Sequence, residues 1–454
     1  MKGELMKILL IAPMKDPSVK TRYIIRFPMV SLQYIAALTP EKHDIRILEE
    51  EVEELDYNIQ CDLVGITCMT ATANRAYKIS EEFRKRGKKV VIGGIHPTVL
   101  PEEASKHCDA VMIGEAEPVW AKMLKDAEED KLQPFYNGGT TANLDEYPLP
   151  RRDLIKHRSI MGIEPVVTSR GCPYSCEFCS VWKFFGRRIR HVSIDRVVQD
   201  IMASGSKRFM FMDDNIVGNP SYATELFEAL SELKIIWVGQ ASISFARDEK
   251  LMKLAYKSGC RGLFLGMETV SEQKLKRMSK SMKTLENTYE AVKKIMEQGI
   301  YFHSSFVFGF DDDDESVFDA TLQFLHKTKI PSATFNILTP YPGTDIYDEF
   351  KKQGRLITEN WDYYDHCTVT YLPKNMTIDR LYEGYQYTKK NYFSMSGILD
   401  RFPANYRNPL IFLLANAGLK SSIANENKII SQSIDKLHSI IEDNYRQNIV
   451  DFNT

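Results

Sequence analysis

Short apolar strands alternate with helical stretches over the first 140 residues of this 454-residue chain. Between the third and fourth strands, residues 73–87 have helical spacing and end on glycine, which is a typical helix stop. Parallel strands need such crossover connections, so the alternation predicts a doubly wound, Rossmann-like α/β domain over residues 1–140. The predicted strands are Lys7–Ala12, Asp44–Glu49, Asp62–Thr67, Lys89–Gly94 and Ala110–Gly114.

Ligands of doubly wound sheets bind beyond the carboxyl ends of the strands. In this chain four such ends carry turn, polar or small residues. They are Pro13–Lys15, Thr67–Thr70, Gly93–His96 and Gly114–Glu117.

The alternation of strands and helices returns after a proline- and arginine-rich linker at residues 141–163. About six further strand–helix units predict a partial or full (β/α) barrel over residues 164–350, with its active site at the carboxyl ends of its strands. Residues 351–454 are mostly helical by pattern and carry no catalytic motif. They form either a small helical domain packed on the barrel or a cap over the substrate.

The composition of the chain limits which partners it can attract and in which cellular compartment it is expected. Lys and Arg (59) nearly balance Asp and Glu (61), so no overall positive field exists to attract nucleic acid. The apolar runs at residues 8–13 and 408–419 are too short for an export signal and for a bilayer span, so no transmembrane segment is expected. Eight cysteines without a secretory signal indicate reduced thiols and a cytoplasmic protein.

Three of these cysteines, Cys172, Cys176 and Cys179, have the spacing C-x3-C-x2-C directly after the first predicted barrel strand. Structural zinc would need a fourth ligand, for which His191 is a candidate. An iron–sulfur cube fits this spacing better, because cysteine thiolates bind 4Fe–4S clusters. With three cysteines, one iron is left without a protein ligand and can bind a small molecule.

With an aromatic residue, Phe178, before the last cysteine, the motif resembles the signature of the radical S-adenosylmethionine (radical SAM) superfamily. Three later segments are also similar to that superfamily, although the second lacks its usual proline. A run of four aspartates within the second segment is expected to be an exposed loop. The segments are residues 266–272, 306–316 and 339–344.

The N-terminal region resembles the subfamily with a cobalamin-binding-type domain, which includes the anaerobic bacteriochlorophyll cyclase and cobalamin-dependent radical methyltransferases. The D-x-H-x-x-G element that supplies a cobalt ligand is missing, because the loop at residues 13–29 has no histidine. The resemblance therefore implies either cobalamin bound without a His ligand, which is the favoured interpretation, or a domain that binds no cobalamin. The residues expected at that site are Thr67, Met69, Gly93 and Gly94.

The resemblance also implies roles for the barrel residues. The three cysteines hold three irons of a 4Fe–4S cluster, and the fourth iron chelates SAM, which is reductively cleaved to a deoxyadenosyl radical. Asp213 and Asp214 are expected to accept hydrogen bonds from the ammonium group of SAM, although one of them could equally cap a helix. Glu268 faces the cofactor, and Arg247 either holds a carboxylate or is solvated. Arg170 and residues 187–190 are either a basic rim or a solvated charge run.

The function implied by this resemblance is cobalamin-dependent methylation of an unactivated carbon. The alternatives are cyclisation, oxidation or C–C coupling of a lipid-like or tetrapyrrole substrate without methyl transfer, and a cofactor-binding sensor without turnover. The expected partners are a small-molecule or lipid-like substrate and a flavodoxin or ferredoxin electron donor in an anaerobic cytoplasm. The sequence alone does not identify the substrate.

Overall fold

The computed structural model describes residues 5–16, 26–140, 143–156, 161–277, 284–402, 409, 412–421 and 423. The chain divides into two compact units, one of residues 1–173 and 179–237 and the other of residues 174–178 and 238–454. Most of the loop after the first strand (17–25) and the predicted helical segment at 425–445 lie outside the described residues.

The strands differ little in position from the predicted ones, and three, at residues 135–139, 169–170 and 190–191, were not predicted as separate strands. They are β1 (Lys7–Ala12), β2 (Asp44–Glu49), β3 (Leu63–Thr67), β4 (Lys89–Gly93), β5 (Ala110–Gly114), β6 (Phe135–Gly139), β7 (Ile163–Val166), β8 (Ser169–Arg170), β9 (Arg190–His191), β10 (Arg208–Phe211), β11 (Ile236–Ala241), β12 (Cys260–Glu268), β13 (Tyr301–Phe308) and β14 (Ser332–Ile337).

The α-helices mostly lie between these strands. They are α1 (Val30–Leu38), α2 (Ala73–Lys85), α3 (Ile95–Val99), α4 (Pro101–Ala104), α5 (Glu117–Glu128), α6 (Val181–Phe185), α7 (Ile194–Ser204), α8 (Pro220–Ser231), α9 (Glu249–Lys257), α10 (Glu272–Arg277), α11 (Leu285–Gln298), α12 (Ser316–Thr328), α13 (Asp345–Lys352), α14 (Ile378–Tyr392) and α15 (Met395–Arg401).

The first unit contains a parallel six-stranded sheet in the order β2-β1-β3-β4-β5-β6. Alternate residues of β1, among them Ile8 and Leu10, enter a core that also contains Trp120 and Met123 of α5. Helix α2 packs against β3 and β4. The predicted doubly wound domain is therefore present, with β1 lying between β2 and β3, where the strand order reverses.

Strand β6 is a correction to the five-stranded prediction. Its sequence, Phe-Tyr-Asn-Gly-Gly, has no β-branched residue and two glycines, which weaken a strand signal. It forms because it pairs in parallel with β5 at the edge of the sheet. Gly138 is required there, because a Cβ at that position would lie 1.7 Å from the Glu115 carbonyl oxygen.

The first unit also contains the parallel pair β7–β10 and the antiparallel pair β8–β9. In the second unit, the parallel strands have the order β14-β13-β12-β11, and the chain enters this unit within β11. Helices α12 and α14 pack on each other and α14 packs on β14, so the residues of α14 belong to the core of this unit. Among the described helices, none is long and apolar enough to cross a bilayer.

Candidate active site

The three clustered cysteines lie in the loop between β8 and α6. Gly171 begins this loop with a φ of 96°, and a Cβ there would lie 2.8 Å from the Arg188 carbonyl oxygen. Only glycine fits this turn without strain. Cys172, Cys176 and Cys179 are thiols rather than disulfides and are partly exposed, as residues that bind an accessible cluster must be.

The zinc alternative depends on His191 as the fourth ligand. Its ring lies against Tyr222, with the ring centroids 4.0 Å apart. Within the described part of the chain, no three His, Cys, Asp or Glu side chains form a site for a single metal ion. In a 4Fe–4S cube each thiolate binds its own iron, so the thiols need not converge on one point. Three thiols on one loop therefore fit the cube better than a structural zinc site, which takes four ligands.

Asp213 is fully buried just after β10, and its carboxylate holds the backbone that leads to the cysteine loop. Its Oδ1 accepts hydrogen bonds from the Thr168 backbone N–H and hydroxyl, both at 3.0 Å. It also accepts bonds from the Ser169 backbone N–H and from the Ser169 hydroxyl at 2.7 Å. Burial raises the pKa of Asp213 to about 6, although these donors oppose the shift. These bonds make Asp213 a positioning residue for the segment before Cys172.

Asp214 is less buried than Asp213. Burial, and then the neighbouring Asp213 charge, raise the pKa of Asp214 to about 7. A cation bound beside it would offset both effects. Of the two carboxylates, Asp214 is therefore the better candidate to receive an ammonium group, and its role in cofactor binding stays a prediction.

Phe178, which directly precedes the last cysteine of the motif, belongs to the second unit and contacts other residues of that unit. Its ring packs edge-on against Phe310, with the centroids 5.6 Å apart. The Lys274 ammonium lies 4.5 Å from the centre of the Phe310 ring and pairs with the buried Asp313 carboxylate. Asp313 also accepts the Gly309 and Phe310 backbone N–H groups, at 2.9 and 3.0 Å. The expectation that the whole aspartate run is an exposed loop is thus wrong for Asp313, because it pairs with a buried lysine.

Glu268 ends β12 in a backbone conformation that is costly for a non-glycine residue. Its φ is 63°, and the pairing of β12 with β13 shifts between Gly266 and Glu268. Such bulges and left-handed residues are concentrated at functional sites. Arg247 is exposed at the end of the short 3-10 helix that follows β11. Glu268 is the last residue of β12 and Arg247 lies beyond β11, so both are near carboxyl ends of strands, where cofactor-binding residues are expected.

The predicted cobalamin-binding residues lie at the carboxyl edge of the first unit's sheet. Thr67 and Gly93 are the last residues of β3 and β4, and Met69 is 52% exposed beyond β3. Gly94 has a φ of 118°, and a Cβ there would lie 2.5 Å from the Cys68 carbonyl oxygen. Glycine is therefore needed where the loop after β4 approaches the loop after β3. With no side chain at Gly94, the exposed Met69 side chain is the apolar group beside this part of the edge. Cobalamin binding at these residues stays a prediction.

His96 is not available as a cobalt ligand at this edge. It is completely buried, and its two ring nitrogens lie 3.3 Å from the Thr70 hydroxyl and the Glu103 carboxylate. His96 is thus a buried, hydrogen-bonded residue of α3.

An ion-pair network that the sequence did not reveal joins the end of β5 to the cysteine loop. Glu115 is buried and accepts hydrogen bonds from Arg170 at 2.8 Å and from Arg190 at 2.8 and 2.9 Å. Arg170 also pairs with Glu117. Burial raises the pKa of Glu115, but the arginines outweigh it and leave that pKa below its usual value. Arg170 and Arg190 are therefore paired residues, whereas Arg187 and Arg188 are exposed.

Comparison with known families supports both the predicted radical SAM domain and the predicted cobalamin-binding-type domain. Residues 166–325 match the radical SAM superfamily, and residues 26–123 match the B12 binding domain. The chain is 32% identical over 385 residues to bacteriochlorophyllide d C-12(1)-methyltransferase of Chlorobaculum tepidum, covering 82% of this chain and 84% of that protein. It is 25% identical over 396 residues to the anaerobic magnesium-protoporphyrin IX monomethyl ester cyclase of Rubrivivax gelatinosus, covering 79% and 67%.

Among solved structures, the cobalamin-dependent SAM radical enzyme OxsB, with aqua-cobalamin and SAM bound, superposes with a TM-score of 0.67. The identity is 16%, and the match covers 98% of this chain and 75% of OxsB. At this identity the likeness concerns the fold. It confirms the predicted α/β class, with a Rossmann-like N-terminal domain followed by a radical SAM domain.

Proposed function

The chain belongs to the radical SAM superfamily and carries a B12-binding domain, and we propose that it transfers a methyl group to an unactivated carbon of a small molecule. The observation that carries this proposal is the 32% identity to a methyltransferase across 84% of that protein. When bound, the 4Fe–4S cluster supplies the electron that cleaves SAM, and cobalamin supplies the site of methyl transfer.

The chain's own residues bind and orient these groups. Cys172, Cys176 and Cys179 bind the cluster, and Asp213 fixes the backbone before them through its bonds to Thr168 and Ser169. Asp214 accepts the ammonium group of SAM. In the second unit, Glu268 and Arg247 are further candidates to contact SAM, and Phe178 directly precedes Cys179 in the cysteine motif. At the first sheet's edge, Thr67, Met69, Gly93 and Gly94 support cobalamin without a histidine ligand.

Product analysis after anaerobic reconstitution and reduction tests this function. We expect SAM cleavage and a substrate heavier by one methylene unit, with bacteriochlorophyllide d as the first candidate substrate. An unmethylated, cyclised or oxidised product would favour the cyclase-type alternative, which the similarity to the magnesium-protoporphyrin cyclase supports. Absence of SAM cleavage would instead favour a sensor. We further propose a cytoplasmic protein reduced by flavodoxin or ferredoxin.

The affinity for SAM should weaken at acidic pH because of Asp214. Its pKa is raised to about 7 in the free protein, so below that pH it must lose a proton before it accepts an ammonium group. We expect the Kd to rise about tenfold per pH unit below 7. Asp214→Asn should remove this dependence and raise the Kd about tenfold to hundredfold at pH 8. Calorimetric titration of the oxidised, cluster-loaded protein measures both effects.

Asp312→Asn is the control for this titration, because Asp312 is an exposed aspartate of a different loop. It should reproduce the wild-type affinity and pH profile. An Asp214→Asn protein that keeps the wild-type slope below pH 7 would assign the titration to another group.

Met69→Asp should lower cobalamin retention without affecting the fold. Met69 is 52% exposed, so the substitution removes little packing, but it places a charge where a flat ligand would cover the side chain. We expect at least a tenfold weaker affinity for cobalamin, measured from the corrin absorbance retained per chain after dialysis. Met202→Asp, at a 68% exposed position of α7, should retain wild-type cobalamin. Equal retention by both variants would move the cobalamin site away from Met69.

A further inference from the structure

The parallel sheet of the second unit has one face covered by helices. Phe308 of β13 packs on Phe318 of α12, with the ring centroids 5.1 Å apart. Phe335 of β14 packs on Tyr392 of α14, with the centroids 5.4 Å apart. Because side chains alternate between faces along a strand, the intervening residues point to the opposite face.

That opposite face carries an aromatic pair in place of the aliphatic side chains that usually fill such a sheet. Phe264 of β12, His303 of β13 and Ser332 of β14 are direct neighbours across the three strands. The Phe264 and His303 rings are stacked, with centroids 5.2 Å apart and planes inclined by 27°. Phe264 remains 37% exposed although the residues on either side of it in β12 are buried. An accessible aromatic surface therefore lies on a strand whose neighbouring side chains are packed.

The histidine of this pair is held in position and carries no charge at neutral pH. Its Nδ1 lies 2.9 Å from the Ser332 hydroxyl, and its Nε2 lies 3.3 Å from the Thr334 hydroxyl. Burial lowers the pKa of His303 to about 4. The two hydroxyls fix the ring orientation, and the pair presents a flat, neutral surface.

Polar groups continue this face toward the carboxyl ends of the strands. Asn336 donates hydrogen bonds to the Ser305 hydroxyl at 2.9 Å and to the Phe306 carbonyl at 3.2 Å. Gly266, two residues beyond Phe264, pairs with Ser305 and carries no side chain. On this face, the Phe264 and His303 rings are thus followed by Gly266, which has no side chain. The polar side chains of Ser305 and Asn336 lie closer to the carboxyl ends of the strands.

We propose that Phe264 and His303 are specificity-determining residues that receive a planar, conjugated and uncharged ring of the methyl-acceptor substrate. The inference rests on the proposed function, since it names the class of substrate for the same site. Offset stacking favours flat conjugated rings over saturated chains. A charged ring is disfavoured, because the neutral imidazole offers no counter-charge for a buried ion.

Direct binding of bacteriochlorophyllide d to the cluster-loaded, unreduced protein tests this assignment. Quenching of the fluorescence of the macrocycle gives a Kd for the wild type, Phe264→Ala, Phe264→Tyr and Leu372→Ala. We expect Phe264→Ala to raise the Kd about tenfold or more, and Phe264→Tyr to keep it within about threefold. Leu372→Ala, a 44% exposed apolar control in the same unit, should match the wild type.

Three outcomes would overturn the inference. The first is that the wild type does not bind the macrocycle. The second is that the wild type binds the saturated isoprenoid phytanol more tightly than the macrocycle. The third is that Phe264→Ala binds the macrocycle as tightly as the wild type does. Thermal unfolding confirms that each variant is folded, and the comparison of the macrocycle with phytanol on the wild type keeps the test decisive if Phe264→Ala is unstable. Binding needs no turnover, so failure of methyl transfer would contradict the proposed function without altering this result.

Discussion

Cys176→Ala protein should assemble no stable 4Fe–4S cluster and should not cleave SAM. The remaining two motif cysteines leave half of the cube's irons without a protein ligand, whereas the wild type leaves only one open. We expect about four irons per chain in anaerobically reconstituted wild type and less than about one in the variant. Iron analysis, visible absorbance and deoxyadenosine formation measure the effect. Cys176 is partly exposed in a loop, so the thermal unfolding of the cluster-free proteins should be nearly equal.

A cysteine outside the motif provides the control for this experiment. Cys61 is a buried free thiol at the start of the segment leading into β3. Cys61→Ala should retain wild-type iron content and SAM cleavage, with at most a modest loss of stability. Deoxyadenosine formation by Cys176→Ala protein at the wild-type rate would show that the cluster ligands are different residues.

Asp213→Ala should destabilise the protein by about 3 kcal/mol or more, because it leaves the buried Thr168 and Ser169 donors without their acceptor. The cysteine loop begins directly after this segment, so cluster content should fall as well. Asp213→Asn keeps a carbonyl acceptor in the same place and should lose about half as much stability. Denaturant unfolding of the cluster-free protein and iron content after reconstitution separate the two effects.

The pH dependence of stability gives a second test of Asp213. Its pKa is about 6 in the folded protein and near its ordinary value when unfolded, so between those values the folded state binds more protons. The wild type should therefore lose stability as pH rises from about 4 through 6, and Asp213→Asn should lose less over that window. Asp195→Ala, at an exposed position in α7, should change stability by less than about 1 kcal/mol. If Asp213→Ala is as stable as this control, the hydrogen bonds to Oδ1 have no structural role.

Local sequence patterns were sufficient for most of the fold. The alternation of buried strands and helices predicted the Rossmann-like sheet, because each strand is a short apolar run that ends at a polar or glycine residue. They failed for β6, because its Asn-Gly-Gly end has low strand propensity and the strand pairs only along the edge that β5 offers. Pairing with a neighbouring strand is a tertiary effect that no local window contains.

The spacing of Cys172, Cys176 and Cys179 by itself predicted an iron–sulfur cluster, since all three thiols lie on one short stretch of sequence and need no tertiary contact to be brought together. Only the tertiary structure decided which charged residues position that loop. Asp213 bonds to Ser169, 44 residues away, and Arg190 bonds to Glu115, 75 residues away. A charge in a sequence looks the same whether it is solvated or buried, because its energy depends on partners that only the folded chain brings within hydrogen-bonding distance.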